Sequence, residues 1–271
     1  MLQLRPTHIS VQHLRMNGVP ALVLRPETQR SNPPGVLWIH GGGYFLGMKE
    51  MVYMGRAMDL VTLFGAVVVS PGYRLAWQKS YPAAAEDCYR VLQYMNDHAE
   101  TLDFRRDQLM VGGESAGGGL AAALCMMARE RGDVKIAFQM PLYPMLSNLD
   151  TDSSRDNRGR VWNTQRNHIG WKLYLRQQAG ETVSPYASPS HQTDYSGLPL
   201  CYTFVGDGEP FYSETLEYVA ALKAAGVEAE ADVYHTDMHA FDMLNPGSAI
   251  SRRAVGRFRR HFAYAIEHFY R

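Results

Sequence analysis

The chain has 271 residues, of which 46% are hydrophobic and 20% are charged, a composition typical of a globular protein. Its 27 basic residues balance its 27 acidic residues, so no net field attracts a polyanion, and nucleic acid is not an expected partner. The longest nearly apolar run, residues 119–128, is about half as long as a membrane-spanning helix requires.

The opening residues lack the continuous apolar stretch of a secretory signal. Cys88, Cys125 and Cys201 are widely spaced and follow no metal-ligand pattern. We therefore expect buried, reduced thiols in a cytoplasmic protein with no membrane contact and no metal. The sequence leaves the oligomeric state open, with a homodimer as one candidate.

Short apolar runs alternate with helical patterns along most of the chain. Asn17-Gly18, between two apolar runs, predicts a β-hairpin. Six further strands are predicted at residues 35–40, 66–70, 108–113, 135–140, 200–205 and 230–234. Apolar spacings of three and four residues predict helices at 51–64, 82–99, 116–131, 213–225 and 248–269. This alternation predicts one α/β domain over residues 1–271, with a mostly parallel eight-stranded sheet and helices on both faces.

Residues 146–190 interrupt the alternation. They are polar and rich in mixed charge, and only residues 165–178 show a helical pattern. Long excursions inside a compact domain are usually functional, so this segment is predicted to be a small lid. The alternative is a solvated surface insertion.

The segment GGESAGG, residues 112–118, contains the pattern G-x-S-x-G centred on Ser115. It follows an apolar strand and opens a helix, which is the context this motif requires for a nucleophilic serine on a tight turn. Gly113 and Gly117 would leave room for the neighbouring strand and helix. The helix N-terminus would add partial positive charge below Ser115.

A serine hydroxyl needs a base, and in this architecture the acid and then the histidine follow the serine along the chain. His239 lies in a polar loop beyond the last strand and is preferred over His235, which closes that strand. Asp207 and Glu209 both follow the preceding strand, and spacing alone does not separate them as the acid.

Three consecutive glycines, Gly41 to Gly43, follow the strand that ends near His40. Bare backbone at such a position can approach a substrate and donate N–H groups to a developing oxyanion. Gly41, Gly42 and Ala116, the residue after the serine, are therefore the predicted oxyanion donors. No phosphate-binding glycine pattern competes with this interpretation.

Several segments together resemble the hormone-sensitive lipase-like branch of the α/β-hydrolase esterases. They are HGGGY (40–44), YRLA (73–76), YPAAAEDCYRVLQYM (81–95), GGESAGG (112–118), SPYASP (184–189) and MHAFDM (238–243). The resemblance implies the α/β-hydrolase fold and hydrolysis of a carboxylic ester through an acyl-enzyme, without metal or organic cofactor.

The resemblance also distinguishes Glu209 from Asp207 as the candidate acid. EPFYSE, residues 209–214, occupies the place of the family's D-P-L-R-D-E block, which assigns Glu209 as the acid beside Ser115 and His239. Glutamate replaces the usual aspartate at 209 and at 114. Only about 40 residues precede the glycines, so the family's N-terminal cap is expected to be shortened or missing, which leaves 146–190 as the candidate lid.

The predicted substrate is a small, soluble ester with a short acyl group. Tyr44, Phe45, Trp162 and Trp171 are candidates to line its pocket, with packing in the core as the alternative for each. Two other functions use the same residues or fold: an amidase acting on arylformamides, and a receptor that binds a small molecule without hydrolysis. Retention of His239 argues against the receptor.

Overall fold

The computed structural model describes residues 9–28, 31–178 and 182–271. The first described residues form the predicted hairpin, with β1 (Ile9–Met16) antiparallel to β2 (Val19–Pro26). Asn17 and Gly18 have φ values of 45° and 87°. Positive φ at both central residues is what a type I′ hairpin turn requires, which explains why Asn-Gly stands here.

All eight predicted strands occur and form one sheet. The remaining six are β3 (Pro34–Ile39), β4 (Val67–Pro71), β5 (Arg105–Glu114), β6 (Phe138–Leu142), β7 (Leu200–Gly206) and β8 (Ala229–Tyr234). The strand order is β1-β2-β4-β3-β5-β6-β7-β8, with β1 and β2 antiparallel to their neighbours and the other strands parallel. The predicted fold class, a mostly parallel eight-stranded α/β sheet, is confirmed.

Two strands begin three residues away from their predicted starts: β5 at Arg105 instead of 108, and β6 at Phe138 instead of 135. β6 was expected at 135–140, but pairing begins at Phe138, opposite Met110 of β5. Val134 and Ile136 are buried and Lys135 is exposed, an alternation that resembles a strand. These apolar side chains pack into the core from the irregular segment that leads into β6. Buried residues outside the hydrogen-bonded ladder therefore gave the same apolar alternation as a strand.

Helices cover both faces of the sheet. They are α1 (Ala57–Phe64), α2 (Ala83–Asp97), α3 (Ala116–Arg131), α4 (Thr164–Tyr174), α5 (Tyr212–Ala224), α6 (Phe241–Leu244) and α7 (Ala249–His268). The buried side chains of α2, α3 and α5 share one core cluster, and those of α1 and α7 share a second. Successive residues of β3 enter these two clusters alternately, because strand side chains point to opposite faces of a sheet.

The described part of the insertion 146–190 contains α4 and short 3-10 helices but no strand. Its aromatic side chains pack on the loop after β3: the Tyr174 ring stacks on Tyr44 at 4.0 Å, and Trp171 lies 5.3 Å from Tyr44. The backbone N–H of Tyr81 donates to the carbonyl of Tyr174. The insertion therefore contacts the carboxyl end of the sheet, where an α/β fold binds its ligand.

Among the residues that the structure describes, no helix is both long and apolar enough to cross a bilayer. Cys88, Cys125 and Cys201 are free and buried, as predicted.

Candidate active site

Ser115 lies on the turn between β5 and α3 in a strained backbone conformation, with φ 58° and ψ −120°. A non-glycine residue adopts positive φ only where the surrounding structure enforces it. A methyl group on Gly113 would lie 2.5 Å from the Ile39 carbonyl oxygen, and one on Gly117 would lie 2.1 Å from the same atom. The two glycines of the motif therefore allow the turn to pack against β3, as the sequence predicts.

The ring of His239 faces this serine. Nε2 of His239 lies 2.9 Å from Oγ of Ser115, and both side chains are nearly inaccessible to solvent. His239 sits in the loop between β8 and α6, beyond the carboxyl end of the last strand. The structure thus brings together the predicted nucleophile and the predicted base, which are separated by 124 residues in the chain.

The carboxylate of Glu209 pairs with the other nitrogen of the same ring. Oε2 of Glu209 is hydrogen bonded to Nδ1 of His239, and Oε1 accepts the backbone N–H of Gly206 at 3.0 Å. Glu209 is fully buried. A carboxylate held in this way fixes the tautomer in which Nδ1 carries a proton and Nε2 is free to accept one.

Asp207 and His235 form a separate pair at the surface. Oδ2 of Asp207 lies 2.8 Å from Nδ1 of His235, whose side chain is 98% exposed. The hydrogen bond to Asp207 raises the pKa of His235. The two histidines and the two acids on these loops therefore sort into one buried pair beside Ser115 and one exposed pair away from it.

The predicted oxyanion donors surround the serine turn. A methyl group on Gly41 would lie 3.2 Å from Cβ of Ser115, so the bare backbone of Gly41 touches the nucleophile's side chain. Within the described residues, the N–H groups of Gly41 and Gly42 donate no hydrogen bond to the protein. Ala116 is the first residue of α3, so its N–H has no acceptor within the helix. The absence of protein acceptors for these three N–H groups among the described residues is compatible with their predicted role, which stays a prediction.

His40, which precedes the glycines, is an uncharged side chain that packs against this loop. His40 is buried and stacked on Tyr73 with 4.3 Å between ring centroids, and its Nδ1 lies 2.8 Å from the carbonyl oxygen of Gly41. Burial lowers the pKa of His40 to about 4, so the ring carries no charge at neutral pH. It therefore orders the loop without placing a cation beside the oxyanion donors.

The four candidate pocket residues divide into two groups. Trp162 lies 6.5 Å from the ring of His239 and 6.2 Å from that of Phe45. A methyl group on Gly43 would lie 2.1 Å from Cη2 of Trp162, so the indole rests directly on the glycine loop. Tyr44 and Trp171 are buried together further into the core, which makes packing the better description of both.

Sequence reasoning did not identify the aromatic residues that hold the His239 ring. Phe211 and Tyr143 both present an edge-to-face contact to that ring, with centroids 5.0 Å and 5.1 Å away. Both residues follow the carboxyl ends of strands, and this position in the sequence could have marked them as neighbours of the site. Tyr143 has φ 34°, a strained conformation, and its hydroxyl donates to Oδ1 of Asp242 at 2.9 Å.

One group outside this site brings potential metal ligands together. In the described part of the chain, Glu230, Asp232 and His261 have ligand atoms within 4.8 Å of one another. Arg257 already forms ion pairs with both carboxylates, so a guanidinium rather than a metal neutralises them. The group has no contact with Ser115 or His239.

Comparisons with known proteins agree with this geometry. A family model described as alpha/beta hydrolase fold, Abhydrolase_3, matches residues 36–243. The chain is 28% identical over 265 residues to carboxylesterase NlhH of Mycobacterium tuberculosis, covering 94% of this chain and 81% of the relative. It superposes on the bacterial heroin esterase with a TM-score of 0.88 and 32% identity, covering 94% of this chain and 84% of that one. The hyperthermophilic esterase from Pyrobaculum calidifontis gives a TM-score of 0.84 and 31% identity, with the same coverage.

Proposed function

Since the chain belongs to Abhydrolase_3, a family with the alpha/beta hydrolase fold, and resembles esterases along nearly its whole length, we propose that it is a serine carboxylesterase for small, short-acyl esters. The observation that carries this proposal is the buried hydrogen-bonded series from Glu209 through His239 to Oγ of Ser115. A hydroxyl 2.9 Å from an imidazole nitrogen is within reach of general-base activation.

Hydrolysis proceeds in two acyl transfers. Oγ of Ser115 attacks the ester carbonyl carbon while its proton passes to Nε2 of His239, and the carbonyl oxygen becomes an oxyanion. The N–H groups of Gly41, Gly42 and Ala116 stabilise that oxyanion. When the C–O bond to the alcohol breaks, His239 returns the proton to the leaving oxygen. Water then repeats the sequence on the acyl-serine and releases the acid.

Glu209 keeps the His239 ring in the productive tautomer and stabilises the imidazolium that forms during each transfer. Its complete burial supports this role, because a carboxylate removed from water interacts strongly with a nearby cation. Asp207 has no such role, since it faces the exposed ring of His235.

The preference for short acyl groups is supported by the aromatic side chains around His239. Trp162 lies against the glycine loop, and Phe45 and Phe211 lie 6.2 Å and 6.4 Å from its ring. Trp162 is held by a 3.3 Å hydrogen bond from its Nε1 to Oδ1 of Asn167 in α4. These rings occupy space beside the predicted oxyanion donors, which supports a preference for a short acyl group.

The test is a set of 4-nitrophenyl esters with acyl chains of two to twelve carbons, assayed on the parent chain and on Ser115→Ala and His239→Ala. Asp207→Asn and His235→Ala are the matched controls, because they alter the second histidine–acid pair on the same loops. We expect the first two variants to lose nearly all turnover, the controls to keep it, and the parent to prefer two to four carbons. A folded parent that hydrolyses none of these esters would contradict the proposal and favour a receptor. Faster cleavage of an arylformamide than of the matched ester would favour the amidase.

A further inference from the structure

A buried ionic network lies next to the two loops that carry the nucleophile and the base. We propose that Tyr143, Asp242 and Arg56 form a positioning network that holds the His239 ring in register with Ser115. This inference rests on the esterase function proposed above. Tyr143 acts on the imidazole ring by packing, and Asp242 and Arg56 act through Tyr143, so their effect on catalysis is one of positioning.

The network reaches His239 through the ring of Tyr143. That ring meets the imidazole edge to face at 5.1 Å, and the two planes lie 79° apart. The Tyr143 hydroxyl donates to Oδ1 of Asp242 at 2.9 Å, so the tyrosine is fixed at both ends. Asp242 itself is the third residue after His239, in the short helix α6, and is completely buried.

Arg56 contacts Asp242 from the other side of the site through charge, since neither Nε of Arg56 nor Oδ2 of Asp242 has a hydrogen-bond partner among the described residues. Nε of Arg56 lies 3.0 Å from Oδ2 of Asp242, and its Nη1 lies 2.9 Å from Asp59. The backbone N–H of the same residue donates to Oε1 of Glu114, which immediately precedes Ser115. A single residue therefore connects the turn of the nucleophile with the loop of the base.

The guanidinium of Arg56 pairs with the carboxyl groups of both Asp59 and Asp242, and the Arg56 backbone contacts a third, that of Glu114. Among the described residues, Glu114 accepts from two neutral donors, the indole N–H of Trp38 at 2.8 Å and the Arg56 backbone N–H at 3.3 Å. Burial raises the pKa of Glu114 to about 8, so this side chain is mostly protonated at neutral pH. Burial raises the pKa of Asp242 as well, while the Arg56 guanidinium, whose Nε lies 3.0 Å from Oδ2 of Asp242, lowers it.

The chain contains a chemically matched control. The Tyr202 hydroxyl donates to Asp232 at 2.8 Å, and Asp232 pairs with Arg257 at 2.9 Å, which repeats the tyrosine–aspartate–arginine arrangement. The Tyr202 ring stacks on His261, at 3.8 Å, and has no contact with His239. Removing the same hydroxyl there has a comparable effect on packing without altering the site.

The experiment measures kcat and KM for a short-acyl 4-nitrophenyl ester with Tyr143→Phe and Tyr202→Phe. Tyr143→Phe keeps the ring but releases its outer end, so we expect kcat to fall about tenfold with KM within about twofold. We expect Tyr202→Phe to keep kcat within about twofold. Asp242→Asn should lower kcat further, about a hundredfold. If this variant fails to fold, Tyr143→Phe alone decides the question.

Several outcomes would overturn the inference. An unchanged kcat in folded Tyr143→Phe, or an equal loss in Tyr202→Phe, would reduce the network to general packing. A rise in KM with kcat unchanged would place Tyr143 in substrate binding instead. The proposed function is judged separately, because its failure appears in the parent chain as an absence of ester hydrolysis.

Discussion

Replacing Trp162 with alanine should change the acyl-length preference of this esterase. The indole lies on Gly43 and beside His239, so its removal opens space next to the predicted oxyanion donors. Each methylene that enters apolar space contributes about 0.8 kcal/mol, or roughly fourfold in rate. Four additional methylenes, from an acetyl to a hexanoyl ester, therefore correspond to about 3 kcal/mol. We expect the ratio of kcat/KM for hexanoate to that for acetate to rise about a hundredfold.

The measurement compares kcat/KM across the ester series for the parent, Trp162→Ala and Trp171→Ala. Loss of a buried tryptophan costs roughly 3–5 kcal/mol of stability, so thermal unfolding must first define a temperature at which each variant is folded. Trp171→Ala removes a similarly buried indole from the same insertion, but one that packs on Tyr44. If folded Trp162→Ala keeps the parent's profile, or if Trp171→Ala shifts the profile equally, Trp162 does not limit acyl length.

Three further predictions concern the acid, the glycine loop and a buried carboxyl. Glu209→Gln should lower kcat about 10³- to 10⁴-fold while Asp207→Asn stays within about threefold, and the reverse order in steady-state assays would assign the acid to Asp207. Gly43→Ala should inactivate the parent, because the methyl group would meet Trp162 at 2.1 Å, but should be better tolerated with Trp162→Ala; equal losses in both backgrounds would refute the contact. Burial raises the pKa of Glu214 from 4.5 to about 8, so its contribution to stability is complete below about pH 4.5 and is lost as the pH rises toward 8. Glu214→Gln should therefore gain a few kcal/mol over the parent between pH 5 and pH 8 in urea unfolding, whereas Glu100→Gln, at an exposed position, should not. Parallel curves for the parent and Glu214→Gln would contradict the assignment.

The sequence predicted the sheet and most of its helices because local patterns and pairing agree through most of the chain. The helix expected at 51–64 begins only at Ala57, after a 3-10 helix over Lys49–Tyr53. Asn17-Gly18 marks the hairpin, and alternating strands and helices leave few parallel topologies open. The start of β6 was misplaced, since Val134 and Ile136 are buried without belonging to the ladder. Alternating burial reports contact with the core, whereas a strand boundary depends on hydrogen bonds to another part of the chain.

The candidate site likewise combines residues that local motifs identify with residues that only the fold brings together. Ser115 and the glycine loop are defined by local motifs with strict backbone requirements, and the structure brings them together with His239. The choice between Asp207 and Glu209 depended on a family resemblance, because the two acids differ mainly in burial. The roles of these residues in catalysis stay predictions until they are tested.

Sequence reasoning did not identify the contacts around the His239 ring. Tyr143 and Phe211 follow the carboxyl ends of two different strands, but their spacing does not indicate that both reach the same imidazole. The domain boundaries and the movement of 146–190 as a lid also stay predictions. The polar composition of this segment is compatible both with an insertion that stays packed on the domain and with one that moves, so composition alone does not distinguish them.

The most direct test of the central claim is covalent labelling with a fluorophosphonate, followed by intact-mass and peptide analysis. Such a reagent phosphonylates a serine hydroxyl whose proton a neighbouring base removes, and it requires no knowledge of the natural ester. We predict one adduct per chain at Ser115, none in Ser115→Ala, and a rate at least a hundredfold lower in His239→Ala. A folded parent that stays unlabelled, or an adduct at any other residue, would contradict the claim that His239 activates Ser115 as the nucleophile.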